Sequence, residues 1–122
     1  MRARRGRLLA AGAIALTILL ADGRLVADTP GGGVAERVAL DNETVKITVV
    51  TMAPGASTGI HINAEPEMAI VVEGELTMVT RHGKQVYTPG MVVWLPPMTG
   101  HDARNESKRP VKVHALGLKR CE

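Results

Sequence analysis

Short apolar stretches separated by turn residues make up most of the chain after residue 44. Within residues 44–52, Val45, Ile47 and Val49 recur at every second position, which is the period of a strand with one buried face. The same criteria predict further strands at 67–72, 75–81, 85–88, 91–95, 101–107 and 111–118. Gly74 separates the first two of these and predicts a hairpin. Because no helical period appears, the pattern predicts an all-β fold, a small antiparallel sandwich or barrel of about eight strands around one small cavity.

The first 27 residues follow a different pattern. Four arginines lie within the first seven residues, and a 14-residue apolar run from 8 to 21 follows and is broken by Asp22. This is the arrangement of a signal peptide, and the run is short for a membrane span. We predict cleavage near Ala21 or Ala27 and export to the periplasm or the medium, with an uncleaved membrane anchor as the alternative. The Pro-Gly-Gly-Gly sequence predicts that residues 28–33 form a flexible linker. We expect residues 34–122 to form one ordered domain.

The basic character of the chain belongs to this leader. Residues 1–27 contain five of the 15 Lys and Arg residues and one of the 12 Asp and Glu residues, so that ten cations and eleven acids remain, a net charge of −1. The remainder contains only Tyr87 and Trp94 as aromatic residues. A nucleic-acid or polyanion partner is therefore not expected, because there is neither a basic patch nor a stacking platform. Membrane contact is expected only through an uncleaved leader.

Candidate chemistry begins in the stretch from Gly55 to Gly74. It contains His61, Asn63 two residues later and Glu67 four residues after that. Residues i and i+2 of a strand point to the same face, so His61 and Asn63 can face one cavity, and the intervening Ala-Glu-Pro turn can return Glu67 to it. A histidine and a glutamate in an apolar setting need a partner for their charge, and a metal ion would provide it.

A second stretch runs from Gly90 to Asn105 and contains Pro96, Met98 and His101. Together the two stretches resemble the two signature motifs of the cupin superfamily. In the first motif Gly55, His61, Glu67 and Gly74 match at every spacing, while Asn63 stands where the second histidine is expected. In the second motif Gly90, Pro96, His101 and Asn105 match, while Met98 replaces an inner glycine. The resemblance implies a double-stranded β-helix, the cupin jelly-roll barrel.

The resemblance also implies a ligand set. In cupins these positions bind a metal inside the barrel, which makes His61, Glu67 and His101 the implied ligands of a divalent ion: Fe, Mn, Zn, Ni or Cu. Asn63 is included as a fourth candidate, since its amide can be a weak ligand, hydrogen-bond a metal-bound water or only fill space. A barrel without metal, in which the two histidines are ordinary polar residues, is the alternative. Asn105 is expected to support its turn rather than the chemistry.

Three functional classes remain open. The two-histidine, one-carboxylate set favours a metal-dependent enzyme of dioxygenase type acting on a small molecule. A metal-dependent isomerase or lyase, or a module that binds a metal or small ligand without turnover, are the alternatives, because cupins host many functions. No cluster of Arg or Lys surrounds the motifs, so a phosphorylated substrate is not expected. The resemblance further implies a homodimer.

Overall fold

The computed structural model describes residues 17–19, 25–27 and 33–120. Two short strands, β1 (Thr17–Leu19) and β2 (Leu25–Ala27), pair antiparallel. They fall inside the predicted leader, and the rest of that leader, together with residues 28–32 of the predicted linker, lies outside the described residues. The leader therefore stays a prediction. None of the described residues belongs to a helix with the length and hydrophobicity needed to cross a membrane.

Nine further strands form two antiparallel sheets within residues 33–120. Their bounds are β3 Val34–Asp41, β4 Val45–Met52, β5 His61–Ile62, β6 Glu67–Glu73, β7 Leu76–Thr80, β8 Gly83–Tyr87, β9 Val92–Leu95, β10 Gly100–Arg104 and β11 Val111–Leu118. The larger sheet has the order β3-β4-β11-β6-β9, and the smaller sheet has the order β5-β10-β7-β8. The all-β prediction is confirmed, with strands close to the predicted positions, and β3 is added to them.

The predicted hairpin across Gly74 is wrong. β6 pairs with β9 and β11 in the larger sheet, whereas β7 pairs with β8 and β10 in the smaller one. Gly74 has a φ of +80° and turns the chain from one sheet to the other. The carbonyl of Pro110 lies so close that a Cβ at this position would clash with it. The turn signal was correct, but the partner of each strand is decided by residues far away in sequence.

The inward-facing side chains of β4, β11 and β6 become more polar from one end of the barrel to the other, and those of β11 also become smaller. Successive rows across these strands are set by their register. The rows are Met52 and Val111; then Val50, Val113 and Val71; then Thr48, Ala115 and Ala69; then Lys46, Gly117 and Glu67. The first two rows are buried and form much of the core. The last two leave space between the sheets, and this space is where the candidate site lies.

Candidate functional site

A cavity of about 370 Å³ occupies the space between the two sheets. Its wall includes all four predicted site residues: His61, Asn63, Glu67 and His101. The remainder of the wall is largely apolar and includes Met52 and Leu76 from the core. The structure thus brings together residues that the sequence separates by up to forty positions, and it places them where a small molecule can enter.

Strand register explains why the two histidines meet. β5 pairs antiparallel with β10, and His61 lies directly opposite His101. Side chains opposite each other in such a pair point to the same face. The two imidazole ring centroids are therefore only 4.0 Å apart, and their planes are inclined at 62°. His101 is almost completely buried, with 3% of its surface exposed, whereas His61 is partly exposed at the shorter edge strand.

Each imidazole is held by a backbone carbonyl two residues earlier in the chain. The Nδ1 atom of His61 lies 3.0 Å from the carbonyl oxygen of Gly59, and that of His101 lies 3.0 Å from the carbonyl oxygen of Thr99. A carbonyl only accepts hydrogen bonds, so Nδ1 carries the proton in both rings. In the neutral state Nε2 then retains its lone pair. This tautomer, fixed by a carbonyl behind the ring, is the usual state of a metal-binding histidine.

Glu67 begins β6 and faces the two imidazoles. The amide nitrogen of Asn63 donates a short hydrogen bond to its Oε2 atom. Burial raises the pKa of Glu67 above its ordinary value, although the charges of His101 and His61 lower it, and the carboxylate of Glu36 raises it further. The carboxyl group therefore lies in an environment that disfavours its negative charge. A cation in the cavity would relieve this cost.

His61, Glu67 and His101 offer the types of donor atom that a divalent ion prefers. Their side chains are not arranged closely enough to form a complete set of metal ligands. Two imidazole Nε2 atoms and one carboxylate form a set that suits several divalent transition ions. Among the described residues, however, no group of three or more His, Cys, Asp or Glu side chains stands in a metal-binding arrangement. Asn63, the fourth predicted ligand, directs its amide nitrogen at Glu67. In this arrangement it orients the carboxylate, and only its amide oxygen remains for other contacts.

Three charged residues that border the cavity were not predicted from the sequence. Glu36 lines it from β3, a strand that the sequence pattern did not predict. Lys46 and Lys119 line an outer space of about 430 Å³, which shares Asn63 and Glu67 with the inner cavity and forms its mouth. Two lysines that the sequence separates from the motifs therefore lie beside the site in the fold, while the expectation about a phosphorylated substrate stays a prediction. The alternation of β4 places Lys46 on the inner face, but its neighbours become apparent only from the register.

Two other residues of the second motif, Asn105 and Met98, are not part of the cavity wall. Asn105 is fully buried, and its amide nitrogen donates to the carbonyl oxygens of Met52 and Arg109 at 3.1 and 2.7 Å. Its amide oxygen accepts from the backbone and the hydroxyl group of Ser107. The prediction that Asn105 supports its turn is confirmed. Met98 has a φ of +61°, the left-handed region, at the position where the resemblance expected glycine.

A second groove, of about 760 Å³, lies between β8 and β9, the edge strands of the two sheets. Its wall includes Tyr87 and Trp94, the two aromatic residues outside the leader, but none of the four predicted site residues. The chemistry that the motifs indicate is therefore confined to the smaller cavity.

Comparisons with known proteins agree with this architecture. A sequence model of the family described as Cupin_2, a cupin domain, matches residues 48–117. A cupin domain from Bordetella pertussis is 26% identical with a TM-score of 0.64, over 73% of this chain and 96% of that one. The Cupin_2 domain of an XRE family transcriptional regulator from Enterobacter cloacae is 23% identical with a TM-score of 0.66, over 74% and 99%. A sugar phosphate isomerase of the cupin superfamily from Silicibacter pomeroyi is 22% identical with a TM-score of 0.63, over 72% and 60%. The comparison with curated proteins gave no match.

Proposed function

The chain belongs to the cupin family, and we propose that it binds a divalent metal ion inside the barrel and acts there on a small molecule. His61, Glu67 and His101 are the proposed ligands, and Asn63 supports the carboxylate of Glu67. The observation that carries the proposal is the pair of facing imidazoles. Both are fixed by carbonyls in the tautomer that leaves Nε2 as the donor, and both lie beside a carboxylate whose pKa is raised by burial.

When bound, the ion would supply Lewis acidity and coordination positions open to a substrate. Two imidazoles and one carboxylate are also the ligand set of non-haem Fe(II) oxygenases, so we propose an oxygenase-type reaction as the finer assignment. The protein's own contribution is to orient the rings through Gly59 and Thr99 and to keep water away from the inner end with apolar side chains. The ion can be Fe, Mn, Zn, Ni or Cu.

Two alternatives each have an observation in their favour. Glu36 adds a carboxylate to the cavity wall beside Glu67, and a carboxylate there can hold or move a proton, as a metal-dependent isomerase or lyase would require. The hydrogen bond that Asn63 donates to Glu67 satisfies one carboxylate oxygen without an ion. It favours a module that binds a small ligand without turnover.

Metal content tests the proposal directly. The full chain is produced with export, purified without a polyhistidine tag and examined by elemental analysis, beside His101→Gln and the control His82→Gln. His82 lies in the exposed turn between β7 and β8, outside the cavity. We expect a near-stoichiometric transition metal in the wild type and in the control, and its loss in His101→Gln. No metal in a folded wild-type protein would contradict the proposal and leave the binding module as the function.

Export is proposed from the leader alone. N-terminal sequencing of protein recovered from the periplasm or the medium should give a chain that begins near residue 22 or residue 28. A full-length chain in the membrane fraction would support the anchor alternative. A full-length chain in the cytosol would contradict export.

The dimer is also a proposal, and the outer face of the larger sheet is the surface that supports it. Along β9, Val92 and Trp94 are about half exposed, and Val72 on β6 is 43% exposed. Strand spacing gives this five-stranded face about 600 Å², which approaches the roughly 800 Å² that each partner buries in a stable dimer. A second copy can cover such a face by packing sheet on sheet. Sedimentation should show a dimer that Trp94→Lys dissociates; a monomeric wild type would contradict the proposal.

A further inference from the structure

We propose that the mouth of the cavity contains a carboxylate-binding subsite centred on Lys46. The ligand would be a small organic acid whose carboxylate lies on Lys46 while its remainder extends towards His61, Glu67 and His101. The subsite itself follows from the placement of Lys46. Only the statement that the other end of the ligand meets a metal rests on the proposed function.

Strand register places Lys46 in one row with the candidate metal ligand Glu67. Gly117 of β11 pairs with Lys46 of β4 on one side and with Glu67 of β6 on the other. Strands of a sheet lie about 4.8 Å apart, so the backbones of Lys46 and Glu67 are about 10 Å apart. All three positions belong to the inward-facing set that also includes Thr48 and Ala115. Lys46 and Glu67 therefore both border the space at the mouth of the cavity, one on each side of Gly117.

Gly117 leaves the space between these two side chains open. Glycine in the middle of a strand weakens it, and often marks a place that a ligand or another chain approaches closely. A Cβ added to Gly117 would have only the carbonyl oxygen of Lys46 within 4 Å, at 3.9 Å, which is an ordinary contact. The backbone would thus accept a larger residue, and no packing constraint requires glycine here. What glycine provides is an unobstructed passage from the mouth to the inner cavity.

Of the two lysines at the mouth, only one has a side chain that is available to bind an anion. Lys119 is held by the carboxylate of Asp41 in a short ion pair. The side chain of Lys46 makes no hydrogen bond or ion pair with any residue of 33–120, although its charge helps Lys119 to lower the pKa of Asp41. Of these two lysines it is therefore the one that is not committed to an ion pair and can receive an anion.

The same charges favour a carboxylate over a phosphate. Glu65 and Glu67 also line the mouth, and both would repel a dianion more strongly than a monoanion. Among residues 33–120 no arginine lines this space and its second lysine, Lys119, is paired with Asp41, so these residues do not form a bidentate phosphate site there. One ammonium group facing one carboxylate is the interaction that fits.

Butyrate and its neutral analogue butyramide test the subsite, because butyrate carries the single negative charge that the mouth favours and the two differ little in size. Binding of each to the full chain is measured by calorimetry, before and after loading with the metal found by elemental analysis. The variants are Lys46→Gln, Gly117→Val and the control Lys112→Gln. Lys112 lies between the buried Val111 and Val113 of β11 and so points away from the cavity.

We expect Lys46→Gln to weaken butyrate binding about three- to tenfold, the loss of one solvent-exposed, hydrogen-bonded ion pair. Butyramide binding should not change, and Lys112→Gln should leave both unchanged. Gly117→Val should weaken both ligands while the thermal midpoint stays the same or rises, because valine is favoured in strands. Weaker binding without loss of stability would show that Gly117 keeps a passage open for the ligand. A glycine required by the fold would instead lower the thermal midpoint when it is replaced.

Two results would overturn the subsite: butyrate that does not bind the wild type, or butyrate affinity that Lys46→Gln leaves unchanged. The outcome is separable from that of the proposed function. If the wild type holds no metal but still prefers butyrate to butyramide in a manner that depends on Lys46, the subsite stands and the metal proposal fails. If the protein holds metal but shows no such dependence, the metal proposal stands and the subsite fails.

Discussion

Two glycines of the first motif provide a matched pair for measuring what the turn between the sheets costs. Gly55 has a φ of +79° and Gly74 a φ of +80°, so an alanine at either position meets the same unfavourable left-handed backbone. Their surroundings differ. A Cβ at Gly55 would have nothing within 4 Å, whereas a Cβ at Gly74 would clash with the carbonyl oxygen of Pro110 and lie 3.0 Å from the side chain of Val111.

The magnitudes follow from this difference. An L-residue in the left-handed region costs about 1–2 kcal/mol, and alanine returns about 0.4–1 kcal/mol by restricting the unfolded chain. Gly55→Ala should therefore lower the free energy of unfolding by about 1 kcal/mol. At Gly74 the clash is with backbone, which cannot rotate away, so an overpacking cost of about 1–3 kcal/mol is added. Gly74→Ala should lose about 2–4 kcal/mol.

Urea unfolding of the full chain, followed by circular dichroism, measures both values under one set of conditions. The slope of unfolding free energy against urea should be the same for both variants, since both fold to the same structure. Losses within about 0.5 kcal/mol of each other would refute the reasoning, because they would show that the clash with Pro110 contributes nothing. A larger loss at Gly55 would contradict it more strongly.

Three further predictions concern the second motif. Asn105→Ala should lower the free energy of unfolding by about 2–4 kcal/mol in urea, because it leaves buried carbonyl groups without a donor; a loss below about 1 kcal/mol would contradict this. Met98→Gly should raise the free energy of unfolding by about 0.5–1 kcal/mol by relieving its left-handed backbone, while Met98→Ala, which keeps the strain, should not. Burial raises the pKa of Asp102, but hydrogen bonds from Ser57 and Arg104 lower it further than burial raises it. Because a depressed pKa stabilises the fold above the unfolded value and the effect is lost as the pH falls, wild-type urea midpoints should drop between about pH 5 and pH 3, and those of Asp102→Asn should drop less. Equal acid sensitivity would exclude this role for Asp102.

The periodicity of the sequence was sufficient to locate most strands but not to pair them. β4, β6 and β11 lie within one residue of their predicted bounds, because β4 and β11 have apolar side chains at alternating positions and β6 is a short continuous apolar run. Gly74 was correctly recognised as a turn. Whether that turn closes a hairpin or crosses to another sheet depends on later strands: β9 and β11 pair with β6, and β10 pairs with β7. The residues around Gly74 contain no information on these pairings.

The candidate site divides in the same way. The spacing of two motifs identified His61, Asn63, Glu67 and His101, and the structure places all four on one cavity. The motif spacing could not show that the amide nitrogen of Asn63 donates a hydrogen bond to Glu67, because that contact depends on the path of the loop between them. Nor could it find Glu36, whose strand contains charged residues at the edge of the sheet and has a weak apolar pattern.

The cavity itself is determined by the sizes of side chains rather than by the motifs. Along β11 the inward-facing residues are Val111, Val113, Ala115 and Gly117, each no larger than the one before. The neighbouring strands end their own rows with Lys46 and Glu67, so the space that β11 opens has a cation on one side and a carboxylate on the other. Of Lys46, Glu67 and Gly117, only Glu67 belongs to a motif. Any change of ligand in a relative that keeps His61, Glu67 and His101 should therefore arise first at the positions of Lys46 and Gly117, which can vary without disturbing the core.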